Sequence, residues 1–211
     1  MFARYLLLFL SFFILFFGIA QPGEVKLLSK IFADSSSGKD AIAKGLSTSV
    51  APVSFAVPAA ILITGLIKKD SALIEKGIKS SLAFGLNAIV STGMKYAFDR
   101  RRPFVTYPLL FHPKSTVGDY SFPSGHTSFA FAAATSVTLS FPKWYVAVPA
   151  YAWASAAAWS RMHNGVHYPT DVLMGALVGT ASSFLTFKLD KWMNHKTKII
   201  PHWSLLIEKD R

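Results

Sequence analysis

Apolar residues in this chain fall into long blocks at about 51–67, 79–97, 125–141, 144–160 and 170–187, none with an uncompensated charge in its middle. The blocks carry no polar stripe that would serve as a water-facing side, so each predicts a helix apolar on every face. Several are shorter than the roughly 20 residues of a full membrane crossing. A soluble all-α protein with buried helices is therefore the competing reading, and the missing water-facing stripe favours a membrane bundle. Small residues recur where such helices pack closely, in Ala154-Ser155-Ala156-Ala157-Ala158 and Gly175-Ala176-Leu177-Val178-Gly179. The expected fold is all-α, a membrane helical bundle of five or six transmembrane helices.

Two flanking regions differ from this core. Residues 1–20 hold one early cation, Arg4, a Leu- and Phe-rich run, and small residues at Gly18 and Ala20. A cleaved signal peptide and a retained first transmembrane helix both match that pattern. Residues 21–50 alternate Leu, Ile and Ala with Lys, broken by Gln21-Pro22-Gly23 and the serine run before Gly38. They predict one or two short amphipathic helices on a membrane surface, or a plain extramembrane connector. The helical domain then covers 51–190, and 191–211 forms a basic tail.

Charge supplies the topology. The chain is 52% hydrophobic and only 16% charged, with a formal net charge of +11. Its cations sit at the ends of apolar segments and in three short blocks, not in one dense stripe, which argues against a nucleic-acid partner. Lys68, Lys69, Lys79, Lys143 and the tail lysines 188, 191, 196 and 198 mark cytoplasmic ends by the positive-inside rule. The loop 98–124 and the turn 160–170 then share the opposite, periplasmic face. There is no cysteine, so disulfides and thiolate chemistry are excluded.

The three blocks lie on that face. The first runs from Lys95 through Arg100 and Arg101 to Arg102-Pro103; the proline holds Arg102 extended, and its planar fork matches phosphate oxygens. Arg100 and Arg101 read as a juxtamembrane basic cluster. The second is Pro123-Ser124-Gly125-His126, ahead of an apolar helix. Ser124 suits the N-cap, Gly125 leaves room for an anion at the helix N-terminus, and His126 is placed to protonate a leaving oxygen. The third runs Ser160-Arg161, then His167, then Asp171 in the first turn of the last helix. Asp171 can hold one ring nitrogen of His167 and leave the other free as a nucleophile, although such a pair also occurs as a plain structural hydrogen bond. His163 has no carboxylate at matching spacing and reads as loop or rim; His112, His195 and His202 read as surface. No spacing suggests a metal site, so Lys95, Arg102 and Arg161 would neutralise charge in its place.

Taken together, Lys95-x6-Arg102-Pro103, Pro123-Ser124-Gly125-His126 and Ser160-Arg161-x5-His167-x3-Asp171 resemble the type 2 phosphatidic acid phosphatase superfamily, in the family's order and at every defining position. The resemblance implies an all-helical fold and a metal- and cofactor-independent phosphohistidine mechanism. His167 would be the nucleophile, Asp171 its orienting group and His126 the acid. Lys95, Arg102, Ser124, Gly125 and Arg161 would bind the phosphoryl oxygens. The expected partners are membrane lipids and a lipid phosphate substrate: undecaprenyl diphosphate, phosphatidylglycerol phosphate, phosphatidic acid or a lipid A phosphate. The expected place is a bacterial inner membrane, with the site facing the periplasm. A soluble periplasmic acid phosphatase, a vanadate-dependent haloperoxidase and a lipid phosphotransferase are the alternatives.

Overall fold

The computed structural model describes residues 21–197, with side chains described to residue 189. The reading of 1–20 as signal or first span lies outside the described residues, as does most of the basic tail. The described residues form helices and no named strand: α1 Pro22–Ala33, α2 Ser37–Lys68, α3 Ser71–Phe98, a single turn α4 Pro103–Thr106, α5 Gly125–Ser140, α6 Trp144–His163 and α7 Pro169–Thr197. Residues 21–50 are thus one short helix plus the opening turns of α2, which runs unbroken through Pro52 and Pro58 into the apolar block. The last apolar block likewise continues as helix to Thr197, into the region read as tail.

Local chemistry sets the ends. Gln21 and Glu24 form a reciprocal capping box at the start of α1, and the Ser36 side chain accepts from the Lys39 amide at the start of α2. Lys69 adopts the left-handed conformation, with φ 52°, to close α2. Asp70 then caps α3 by accepting from the amides of Ala72 and Leu73 at 2.9 and 3.1 Å. A two-residue reversal of this kind forces α2 and α3 antiparallel.

α5 is the axis of the bundle and packs against α2, α3, α6 and α7. Its closest partner is α7, where a Cβ on Gly175 would lie 2.6 Å from the Ser124 carbonyl oxygen and one on Gly179 2.0 Å from that of Ser128. Backbones approach this closely only where side chains are absent. The alanine run of α6 is used in the same way, with Ala154, Ala157 and Ala158 buried.

Polarity is arranged inside out. Ser54, Ser80, Asn87, Ser128, Ser136 and Ser183 are buried between helices, while Phe55, Ile63, Leu82, Ile89, Val148, Leu173 and Leu185 point outward. Asn87 donates to Ser128 at 3.3 Å and Ser136 pairs with Ser183 at 3.1 Å. Water would drive the opposite distribution; an apolar solvent favours this one. By length and composition, two described helices are able to cross a membrane: α2, and α7 over Pro169–Leu189.

The two ends of the bundle differ. At one, Lys76 lies 5.5 Å from the Phe141 ring centroid and Lys79 6.0 Å from that of Phe187, so the reversals at 69–70 and 141–143 share it. At the other lie the segments 99–124 and 164–168, covered by α1. Leu28 of α1 is buried with Phe111 and Tyr168 of those segments, and Val25, Phe32, Phe104, Tyr107 and Met162 surround them.

Candidate active site

The three blocks meet at this second end. After α3, Asp99 turns the chain with φ 43° and Arg102 is extended, at φ −73° and ψ 157°, as a residue before proline must be. The Ser121 amide donates to the Arg100 carbonyl at 2.8 Å, which draws residues 120–123 alongside 100–102. Lys95, half-buried at the end of α3, reaches across and donates to the carbonyls of Pro123 and Tyr120 at 2.9 and 3.3 Å. Its ammonium is thereby fixed beside the start of α5.

Ser124 occupies the N-cap position of α5 but does not cap it with its side chain. Its hydroxyl instead accepts from Thr127 Oγ1 at 3.0 Å, and its amide donates to the Asp171 carbonyl at 3.0 Å. The expectation of a side-chain cap is corrected there: the Ser124 hydroxyl is engaged by the Thr127 hydroxyl of the same first turn, not by a backbone amide. Gly125 has an ordinary φ, and no atom lies within 4 Å of where its Cβ would stand. Neither backbone nor packing demands a glycine, so the space beside it is left open. The first-turn amides of α5 have no intrahelical carbonyl to bond.

Gly165, with φ +68°, makes the turn from α6 that delivers His167; a Cβ there would also strike the Phe32 ring. His167 is 2% exposed. Its Nε2 lies 3.2 Å from Arg102 Nη1, and its Nδ1 lies 3.4 Å from Asp171 Oδ2. The second distance exceeds a normal hydrogen bond, and Oδ2 is taken meanwhile by the Tyr168 amide at 2.8 Å. A guanidinium only donates, so Nε2 carries the lone pair and the ring proton sits on Nδ1, facing the carboxylate. Burial first, then Arg102, Arg161 and Lys95, hold the His167 imidazole well below its ordinary value of 6.5.

The cations nearest that ring, Lys95, Arg102 and Arg161, make their hydrogen bonds to neutral groups among the described residues. Among the described residues, Arg102 donates to the carbonyls of Gly118 and Val166, the latter at 2.8 Å, besides its contact with His167. Burial brings its pKa down to about 10 despite Asp171 and Asp119. Arg161 is 1% exposed; one terminal nitrogen donates to Ser47, and its Nε has no partner among the described residues. Neither arginine, nor Lys95, forms an ion pair among the described residues. A buried unpaired cation is strongly unfavourable, so an anion among these three would be stabilised. His126, partly buried in the first turn of α5, lies within the field of Arg161, Arg102 and Lys95. All eight residues singled out in the sequence thus converge.

Two expectations are corrected. Arg101 is exposed, as a juxtamembrane residue would be, but Arg100 is 2% exposed on its side chain and bonded to Asp171 Oδ1 at 2.6 Å and to Glu24. His163 is no rim residue: it is buried, with Nε2 2.7 Å from Asp40 Oδ1. Stretch 21–50, expected as short amphipathic helices or a plain connector, is helical and also supplies Glu24, Asp40 and Ser47 to these contacts. His112 is exposed, as expected, while the side chains of His195 and His202 lie outside the described residues.

A family model described as the PAP2 superfamily matches residues 76–194, which contain all three blocks. The chain belongs to the PAP2 superfamily. Among curated PAP2-like relatives, an undecaprenyl-diphosphatase of Sulfolobus acidocaldarius is 34% identical over 132 residues, 62% of this chain and 63% of that one. A lipid A 1-phosphatase of Porphyromonas gingivalis is 37% identical over 112 residues, 52% of this chain and 21% of that one. The chain spans less than two thirds of the length of the curated relatives it matches. Of solved structures, LpxE of Aquifex aeolicus superposes with a TM-score of 0.66 at 25% identity, over 77% of this chain and 93% of that one. A transmembrane PAP2-type phosphatidylglycerolphosphate phosphatase of Bacillus subtilis gives 0.69 at 24% identity, over 89% and 96%. The second likeness establishes the fold alone.

Proposed function

We propose that this PAP2 chain is an integral membrane phosphatase that removes phosphate from a lipid phosphate or diphosphate through a phosphohistidine. The observation that carries this reading is the cluster of Lys95, Arg102 and Arg161, with no ion pair among the described residues, around the lone-pair nitrogen of His167. The phosphoryl group lies between that nitrogen and the open space at Gly125. Its oxygens accept from Arg102, from the free Nε of Arg161, from Lys95 and from the first amides of α5.

His167 Nε2 attacks phosphorus as the bond to the lipid oxygen breaks, and His126 gives that oxygen its proton. Asp171 holds the Nδ1 proton and offsets the positive charge that the ring acquires. A water molecule then attacks the phosphohistidine and loses its proton to His126. Phosphate leaves, and both rings return to their starting states. Fixed cations replace a metal in neutralising the phosphoryl oxygens.

The membrane setting follows from the inside-out polarity and the lipid phosphatase relatives. In this reading α2, α3, α5, α6 and α7 cross the bilayer, with residues 1–20 as a sixth span if retained. The end bearing Lys68, Lys69, Lys76, Lys79 and Lys143 faces the cytoplasm, and the site faces the periplasm of an inner membrane. Outward apolar side chains weigh against a soluble acid phosphatase.

Phosphate release by detergent-purified protein from phosphatidic acid, phosphatidylglycerol phosphate, undecaprenyl diphosphate and a lipid A phosphate tests the reading. Release from at least one by wild type and none by His167→Ala is expected. No release from any of the four, or equal release by both proteins, would refute it.

A further inference from the structure

Behind the His167–Asp171 pair runs a buried chain of alternating charge that reaches into α1. Asp171 is 0% exposed, and its Oδ1 accepts from Arg100 Nη1 at 2.6 Å. Arg100 Nη2 donates to Glu24 Oε1, and Nη1 also donates to Thr170 Oγ1 at 2.7 Å. The Thr170 hydroxyl donates to Glu24 Oε2. The Arg100 guanidinium lies 4.3 Å from the centroid of the Tyr168 ring, so it is held flat as well as bonded at its edge. Glu24 also accepts from the Gln21 amide at 2.9 Å in the α1 capping box. A residue that only closed a capping box would be exposed; Glu24 is 8% exposed and turned into the protein.

The charge order is Glu24 negative, Arg100 positive, Asp171 negative, then the imidazole. Arg100 alone would cancel Asp171 and leave little charge to stabilise a positive His167 ring. A second carboxylate on the far side of the guanidinium balances it, so Asp171 keeps its charge for the imidazole. The Thr170 contact fixes the first turn of α7, which carries Asp171.

Resting on the phosphohistidine reading above, we infer that Glu24 is a positioning residue of the reaction, acting through Arg100 and Thr170 on Asp171, and that α1 is part of the catalytic unit. Glu24 touches no reacting atom. It sets the geometry and the charge of the group that does.

The test uses the full chain in detergent, with inorganic phosphate released from undecaprenyl diphosphate as the readout. Glu24→Gln should lower kcat by about ten- to a hundredfold with KM little changed, the range seen for groups that orient a catalytic ligand. Glu24→Asp should recover part of the loss. In an Asp171→Asn background, Glu24→Gln should lower kcat no further, because its route is already cut. Wild-type kcat in Glu24→Gln, or an equal further loss in the Asp171→Asn background, would overturn the inference. Nitrogen-15 NMR of the labelled His167 ring decides the same point without turnover. The proton should sit on Nδ1 in wild type and redistribute between the nitrogens in Glu24→Gln. An unchanged ring spectrum would overturn the inference, whereas a changed spectrum from a wild type that releases no phosphate from any of the four lipids would refute only the phosphatase reading.

Discussion

Arg102 Nη1 lies 3.2 Å from His167 Nε2, and the donor in that contact can only be the arginine. That contact holds the imidazole in the tautomer that attack requires. Arg102 supplies a positive charge at the spot where phosphoryl oxygens arrive.

Replacing Arg102 should consequently harm chemistry more than binding. Arg102→Ala is expected to lower kcat by about 10²–10³, the range for removing one preorganised donor to a developing charge. Arg102→Lys should restore little of it, because an ammonium cannot donate to Gly118, Val166 and a phosphate from one plane. Steady-state phosphate release by the two variants checks this. Full recovery with lysine would mean that point charge alone matters.

The depressed His167 pKa has a stability consequence. Folded, the ring stays neutral as pH drops through 6.5; unfolded, it takes up a proton there. The unfolded state then binds more protons, so stability falls as pH falls, by at most ~1.4 kcal/mol per pH unit from this one group. Apparent Tm in detergent between about pH 7.5 and 5 should decline more steeply for wild type than for His167→Gln. Parallel curves would show that the ring titrates normally.

Helix packing around the site gives an independent check. Gly179→Ala places a Cβ 2.0 Å from the Ser128 carbonyl oxygen, and α5 and α7 must separate to admit it. The expected loss is at least the ~1–3 kcal/mol of ordinary overpacking. Gly85→Ala, where nothing lies within 4 Å, should be neutral or slightly stabilising. Thermal denaturation of the two variants compares them directly.

The motif residues were legible because each block is a local string whose chemistry is set by near neighbours: a proline after Arg102, a glycine before His126, a carboxylate one turn after His167. The small residues of α6 and α7 were legible for the same reason. What escaped depends on distance along the chain. Nothing local distinguishes Arg100 from Arg101, yet after the left-handed residue Asp99 the first is buried and the second exposed. Glu24 meets Arg100 from 76 residues away, and Asp40 meets His163 from 123. Such partners belong to no motif. The side chain of Ser124 differs from expectation because the Thr127 hydroxyl, three residues on, engages it in place of a first-turn amide.

With Lys95, Arg102 and Arg161 neutralising the phosphoryl group, turnover should persist in EDTA. Loss of phosphate release in EDTA that magnesium restores would contradict the role given to these cations.

The most direct test of the phosphohistidine is to find it. Wild-type protein mixed with a turned-over lipid phosphate, quenched within milliseconds and digested under alkaline conditions, should yield by mass spectrometry an acid-labile phosphoryl group on the peptide bearing His167. His167→Ala should yield none and release no phosphate. Turnover in His167→Ala, or a phosphoryl group on another residue, would contradict the assignment.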